Sequence, residues 1–201
     1  DNGPVSLWAH KRVDPVWNWK EGQPVSVNVF TNCEEVELYL NNRSLGVKRM
    51  AGLQNRTITW EVPFERGILK AIARTAGREL TSFELKTTGS PARLIAKSDV
   101  SSLKGNKLDL GHLWITLCDE EGNTVYNAGN EISCEVTGPV RILGIEDSNP
   151  RNIEDYKDNK QKAYHGKLLI YVQALDKPGK AVIKLSSPGL QGSTVELDAI
   201  R

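Results

Sequence analysis

Few residues in this 201-residue chain stand where they could do covalent chemistry. The carboxylates that cluster are adjacent in sequence, as Glu34-Glu35 and Glu120-Glu121. Hydrolysis of a glycosidic bond needs two carboxylates facing each other across that bond. Sequence neighbours on a strand point to opposite sides, so both pairs read as solvated charges. His10, His112 and His165 are isolated, with no Cys, Asp or second His at metal-ligand spacing. There is no G-x-S-x-G elbow for a serine nucleophile, and no P-loop or G-x-G-x-x-G fingerprint. Asp147, Asn149, Asp155 and Asp158 gather oxygen ligands of the kind calcium prefers, but not at EF-hand spacing. No catalytic residue, no cofactor and no metal site is therefore expected.

The tryptophans carry more information. Trp8, Trp17, Trp19, Trp60 and Trp114 are many for this length. A pyranose presents an apolar C–H face that stacks on an aromatic ring. Trp17 and Trp19 flank Asn18 in a loop ahead of an alternating run, which makes Trp17, Asn18 and Trp19 candidate carbohydrate-binding residues. Two other roles stay open for that loop: packing beneath the rim of the fold, or facing a neighbouring domain. Trp60 shares a period-two face with Ile58 and Val62 and reads as core. Trp114 alternates against Leu113 and Ile115, and points either outward or into a domain interface.

Composition narrows the class further. Hydrophobic content of 39% with 25% charge is that of an ordinary globular protein. A net charge of +1, with both signs interspersed, argues against nucleic acid or an anionic membrane as partner. No run approaches the roughly 18 apolar residues of a membrane span. Asp1-Asn2-Gly3-Pro4 is not a signal peptide. Cys33, Cys118 and Cys134 are odd in number and lack C-x₂-C spacing. A bridge between Cys118 and Cys134 and small buried thiols are both open readings. Asn42-Arg43-Ser44 and Asn55-Arg56-Thr57 match the N-glycosylation pattern, which has consequences only in a eukaryotic secretory pathway.

The elements that must position these residues are strands. Strict alternation, apolar inward and polar outward, marks a strand with one buried face. It recurs at Val5–His10, Val25–Thr31, Glu35–Leu40, Leu45–Arg49, Arg56–Pro63, Ile68–Thr75 and Leu80–Thr87. Between Trp17 and Lys48 the pattern reads as consecutive antiparallel strands. After an interruption at Thr88-Gly89-Ser90-Pro91 it restarts at Ala92–Ser98, Leu108–Asp119, Thr124–Tyr126, Glu131–Thr137, Val140–Glu146, Lys167–Leu175, Ala181–Ser187 and Thr194–Ile200. Asp119–Asn123 predicts a hairpin turn, and Asp147–Gln161 a long loop with one helical turn near Ile153–Tyr156. The expected fold is all-β: two tandem immunoglobulin-like β-sandwiches, residues 1–88 and 89–201, the second of a bacterial Ig-like or invasin-like type.

Several motifs resemble one family. "TNCEEVELYLNNRSLG" resembles a TN-x-(D/E)-x-VELFLNG-x-SLG signature. That signature belongs to an immunoglobulin-like domain that follows the catalytic barrel in glycoside hydrolase family 2 enzymes, the β-galactosidase group. "PARLIAKSDVSSLKGNKLDLGHLWITLCDEEGNTV" and "EISCEVTGPVRILGIEDSNPRNIEDYKDNKQKAYHGKLLIYVQA" are similar to the patterns of the next domain in such enzymes. The departures lie in loops. Asn41-Asn42 stands for the family's Asn-Gly, Asp147-Ser148-Asn149-Pro150 lacks its Gly, and Lys162 replaces an Arg before Ala163-Tyr164. The resemblance implies a non-catalytic C-terminal region of a bacterial glycosidase. Both catalytic glutamates of the family sit on a (β/α)₈ barrel, for which this chain has no counterpart. The implied partner is the upstream catalytic barrel, with a homo-oligomer or a glycan as further partners. The implied location is periplasmic, or extracellular and surface-attached. Two rival readings are a carbohydrate-binding module and an Ig-like spacer of a surface adhesion protein.

Overall fold

The computed structural model describes residues 15–51 and 56–201, which form β-strands and no helix. The expected strand Val5–His10, with Trp8 and His10, and Asn55 of the second glycosylation pattern lie outside the described residues. The chain divides into two compact units between Thr87 and Thr88.

The first unit contains β1 (Pro24–Phe30), β2 (Glu35–Leu40), β3 (Arg43–Arg49), β4 (Thr57–Pro63), β5 (Ile68–Thr75) and β6 (Arg78–Lys86). They form a two-stranded sheet, β1-β4, and a four-stranded sheet, β3-β2-β5-β6. Val36, Leu38 and Leu40 of β2 face Ile58, Trp60 and Val62 of β4 across one core, with Trp17 and Phe64 closing it. The Trp17 and Phe64 ring centroids lie 5.2 Å apart, and Trp17 Nε1 donates to Glu65 O at 3.1 Å. The expected run of consecutive antiparallel strands needs correction: β1 pairs with β4, and β2 pairs with β3 and β5. Both β1 and β2 alternate because each lines the same core from an opposite side. Alternation reports which face is buried, not which strand is the neighbour. Between β2 and β3, Asn41 and Asn42 take φ of 51° and 64°, as a tight two-residue hairpin demands. Asn tolerates that region, so the loss of the family's Gly is absorbed.

The second unit contains β7 (Arg93–Ser98), β8 (Ser102–Lys104), β9 (Leu110–Cys118), β10 (Glu131–Thr137), β11 (Val140–Glu146), β12 (Lys160–Lys162), β13 (Lys167–Ala174), β14 (Gly179–Ser186) and β15 (Ser193–Ile200). A five-stranded sheet, β12-β10-β14-β15-β8, packs on a four-stranded sheet, β11-β13-β9-β7. Leu113, Ile115, Ile170 and Val172 from one sheet meet Ile132, Ile183 and Leu197 from the other.

Of the two readings open for the cysteines, the structure shows buried thiols: Cys118 on β9, Cys134 on β10 of the other sheet, and Cys33 are all buried and free. Two details differ from the expectation. Thr124–Tyr126 makes only an isolated bridge, Cys118 to Thr124. The helical turn near Ile153–Tyr156 is absent. There Asn149, Asn152 and Asp155 each accept a bond from the amide two residues on, at Arg151, Glu154 and Lys157. Such local side-chain bonds compete with helix formation.

Candidate functional site

The carboxylate pairs do not converge. Glu34 Oε2 accepts from Ala76 N at 2.9 Å, and Glu35 meets Arg49 at 3.4 Å. Glu121 Oε2 accepts from Asn123 Nδ2 at 3.2 Å, and Glu120 offers its backbone carbonyl to Arg93 at 2.9 Å. Asp147 and Asp155 bond amides of their own loop. Among the described residues no group of three or more His, Cys, Asp or Glu is placed to hold a metal.

What the first unit does present is an open apolar groove of about 610 Å³. Its origin is a mismatch of strand number. Strands lie about 4.8 Å apart, so a two-stranded sheet covers about half the width of a four-stranded one. Within the four-stranded sheet, Leu38, Ala71 and Phe83 are cross-strand partners on the inner face, and so are Leu40, Leu69 and Leu85. β2 and β5 are covered and their inner residues are largely buried. β6 is not: Phe83 is 65% exposed although it faces inward. Val25, Val27 and Val29 of β1 are only half-buried, whereas their partners Val62, Trp60 and Ile58 on β4 are buried. The outer side of β4 is closed by Lys48, whose Nζ donates to Thr59 O at 2.7 Å and lies 5.2 Å from the Trp60 ring centroid. Among the described residues β1 pairs with β4 alone, so its other edge has no strand partner among them.

The three expected sugar-contact residues distribute unevenly over this groove. Trp17 is 1% exposed and offers no free ring face. Asn18 is half-buried. Trp19 is 46% exposed and lines the groove with Phe30, Phe83 and Leu85. Phe30 and Phe83 escaped the sequence reading. Each lies on a correctly placed strand, but its exposure depends on which sheet fails to cover which strand. That is a property of pairing, not of local pattern.

Two immunoglobulin-like β-sandwiches, the first carrying this groove, define the class of the chain. Residues 94–196 match the family described as Glycoside hydrolase family 2 C-terminal domain 5, and residues 22–81 match a domain of unknown function, DUF4982. The chain belongs to the glycoside hydrolase family 2 C-terminal domain family. It is 37% identical over 198 residues to the β-galactosidase BoGH2A of Bacteroides ovatus, covering 96% of this chain and 23% of that protein. It is 26% identical to a putative β-glucuronidase of Formosa agariphila, covering 88% of this chain and 17% of that protein. A glycosyl hydrolase family 2 structure from Bacteroides cellulosilyticus superposes with a TM-score of 0.94 at 28% identity, over 100% of this chain and 26% of that one. The chain thus spans between 17% and 26% of the length of these relatives.

Proposed function

We propose that this chain is a non-catalytic accessory region of a longer bacterial family 2 glycosidase acting on β-galactoside-type glycans. The observation that carries the reading is coverage. Nearly the whole chain aligns with the B. ovatus β-galactosidase, yet it accounts for 23% of that protein. The reaction needs two opposed carboxylates, and the clustered pairs Glu34-Glu35 and Glu120-Glu121 do not converge on one site.

The groove gives the accessory role a physical form. Burying most of an aromatic side chain is worth about 1.5–3 kcal/mol. Trp19, Phe30 and Phe83 together therefore offer several kcal/mol to whatever covers them. A strand edge with no partner among the described residues, beside an apolar channel, fits an extended segment, which would pair with β1 and cover β6. In this reading the occupant is a segment of the parent chain, and its docking holds the first unit against the catalytic barrel. Export of the parent to the periplasm or cell surface belongs to the same proposal.

The test is activity on 4-nitrophenyl β-galactoside. The parent enzyme should hydrolyse it and the 201-residue chain alone should not. A parent lacking this chain should lose thermal stability or activity. Turnover by the chain alone, or a truncated parent equal to the intact one in both respects, would refute the proposal.

A further inference from the structure

The outer face of the β11-β13-β9-β7 sheet carries an aromatic row that neither the fold nor the groove uses. On β9, His112 and Trp114 are two residues apart and project to the same side. Cross-strand register places Tyr171 of β13 beside His112, and Leu169 beside Trp114. On β11, Gly144 is the partner of Tyr171. A β-carbon at Gly144 would come within 3.3 Å of the Tyr156 ring, so the missing side chain lets that ring lie against the strand. Tyr156, Tyr171, His112 and Trp114 therefore follow one another across the sheet. The His112 centroid is 5.2 Å from Tyr171 and 5.8 Å from Trp114. Trp114 is 48% exposed.

Polar groups fix the row in place. Asp99 Oδ2 lies 2.6 Å from His112 Nδ1, and Asp99 Oδ1 accepts the His112 backbone N–H at 2.8 Å. Tyr171 Oη donates to Glu146 Oε1 at 2.7 Å. Both ring planes are thus tied before any ligand arrives, which reduces the ordering cost of binding. A carboxylate has about four acceptor sites, so Asp99 and Glu146 keep capacity for further donors at the edges of the rings. Lys97, the cross-strand partner of Trp114, sets a donor beside it.

We infer that this face is a binding platform for a neutral oligosaccharide. The apolar C–H faces of successive pyranoses match the exposed ring faces, and their hydroxyls match the flanking carboxylates and Lys97. A protein partner fits less well. Interface cores are depleted of charged residues, whereas Asp99 and Glu146 flank this row on both sides. The same two carboxylates disfavour an anionic glycan. The inference is independent of the accessory reading and of the groove, which lies on the other unit.

Isothermal titration calorimetry of the 201-residue chain tests it, with β-1,4-linked hexasaccharides of galactose, glucose and xylose and a hexauronate as the anionic probe. At least one neutral hexasaccharide should bind saturably, with Kd on the order of 0.1 mM, and Trp114→Ala should weaken it about tenfold or more. Tyr156→Ala, in an exposed loop, should weaken it several-fold and serves if the Trp114 variant fails to fold. Backbone amide shifts in the wild type should centre on residues 97–99, 112–114 and 169–171. No saturable binding to any neutral glycan up to about 10 mM, full binding in the variants, equal affinity for the hexauronate, or shifts centred on Trp19 and Phe83 would each overturn the inference.

Discussion

Asn41 and Gly67 interlock. The Asn41 side chain donates from Nδ2 to Arg66 O at 2.9 Å and accepts from Ile68 N at 2.9 Å, spanning Gly67 from both sides. Its amide occupies the space a β-carbon on Gly67 would need, and Gly67 itself has φ of 135°. Gly67→Ala should therefore break two hydrogen bonds and strain the backbone together. A loss of about 2–4 kcal/mol is expected in the first unit. Calorimetric unfolding reads it as a lowered first-unit transition with the second unit unmoved; an unchanged profile would show that Asn41 is dispensable to the turn.

Glu37 gives the first unit an acid-side dependence. Bonds from Tyr39, Ser44 and Arg74 hold its carboxyl down from an ordinary 4.5 to about 2. Arg74 Nη1 donates to Glu37 Oε2 at 2.8 Å, and Ser44 Oγ to Glu37 Oε1 at 2.7 Å. The folded value lies below the unfolded one, so the stabilisation is complete above pH 4.5 and is lost as pH falls towards 2. Arg74→Met should raise the Glu37 value, seen in a side-chain carboxyl NMR titration, and flatten the stability profile over that window. An unmoved Glu37 titration would contradict the assignment.

Asp119 performs a similar service in the second unit while buried, at 4% exposure. Its carboxylate accepts from the backbone amides of Gly89, Glu121 and Asn123 at 3.0, 3.1 and 2.8 Å. Partial burial opposes the charge, but these bonds prevail and hold the group below the usual carboxylate range. Asp119→Ala leaves those amides unpaired and should cost about 1–3 kcal/mol. Urea unfolding at pH 7 checks it, and a shift of a few tenths of a kcal/mol would be too small for the role.

The thiols should be inert in the folded chain. Burial pushes Cys134 up to about 12 and raises Cys118 as well. Reaction with a thiol reagent at pH 8 should be slow at both and follow global unfolding. Rapid labelling of either under native conditions, or recovery of a Cys118–Cys134 disulfide, would contradict their burial as free thiols.

The strands were legible because each lines a core from one side. Glu35–Leu40, Ile68–Thr75, Glu131–Thr137 and Val140–Glu146 match the sequence reading end to end. Partner choice was not legible, because β1 and β2 carry the same alternation yet belong to different sheets. The short strands Ser102–Lys104 and Lys160–Lys162 were missed, three residues being too few to show a period. The Trp17-Asn18-Trp19 loop drew attention through residue type, but type does not say that one ring is core and the other is groove. The aromatic row on β9 was half visible: Trp114 alternated outward, while His112, Tyr171 and Tyr156 join it only through strand register.

The central claim is that the β1 edge and the β6 face are completed by the rest of the parent polypeptide. Hydrogen exchange of residues 25–30 and 81–85, compared between this chain alone and the intact parent enzyme, tests it most directly. The account expects the β1 amides on the edge away from β4 to gain about tenfold or more in protection within the parent. Phe83→Asp in the parent should abolish that gain. Equal protection in both proteins would show that nothing docks in the groove and would contradict the account.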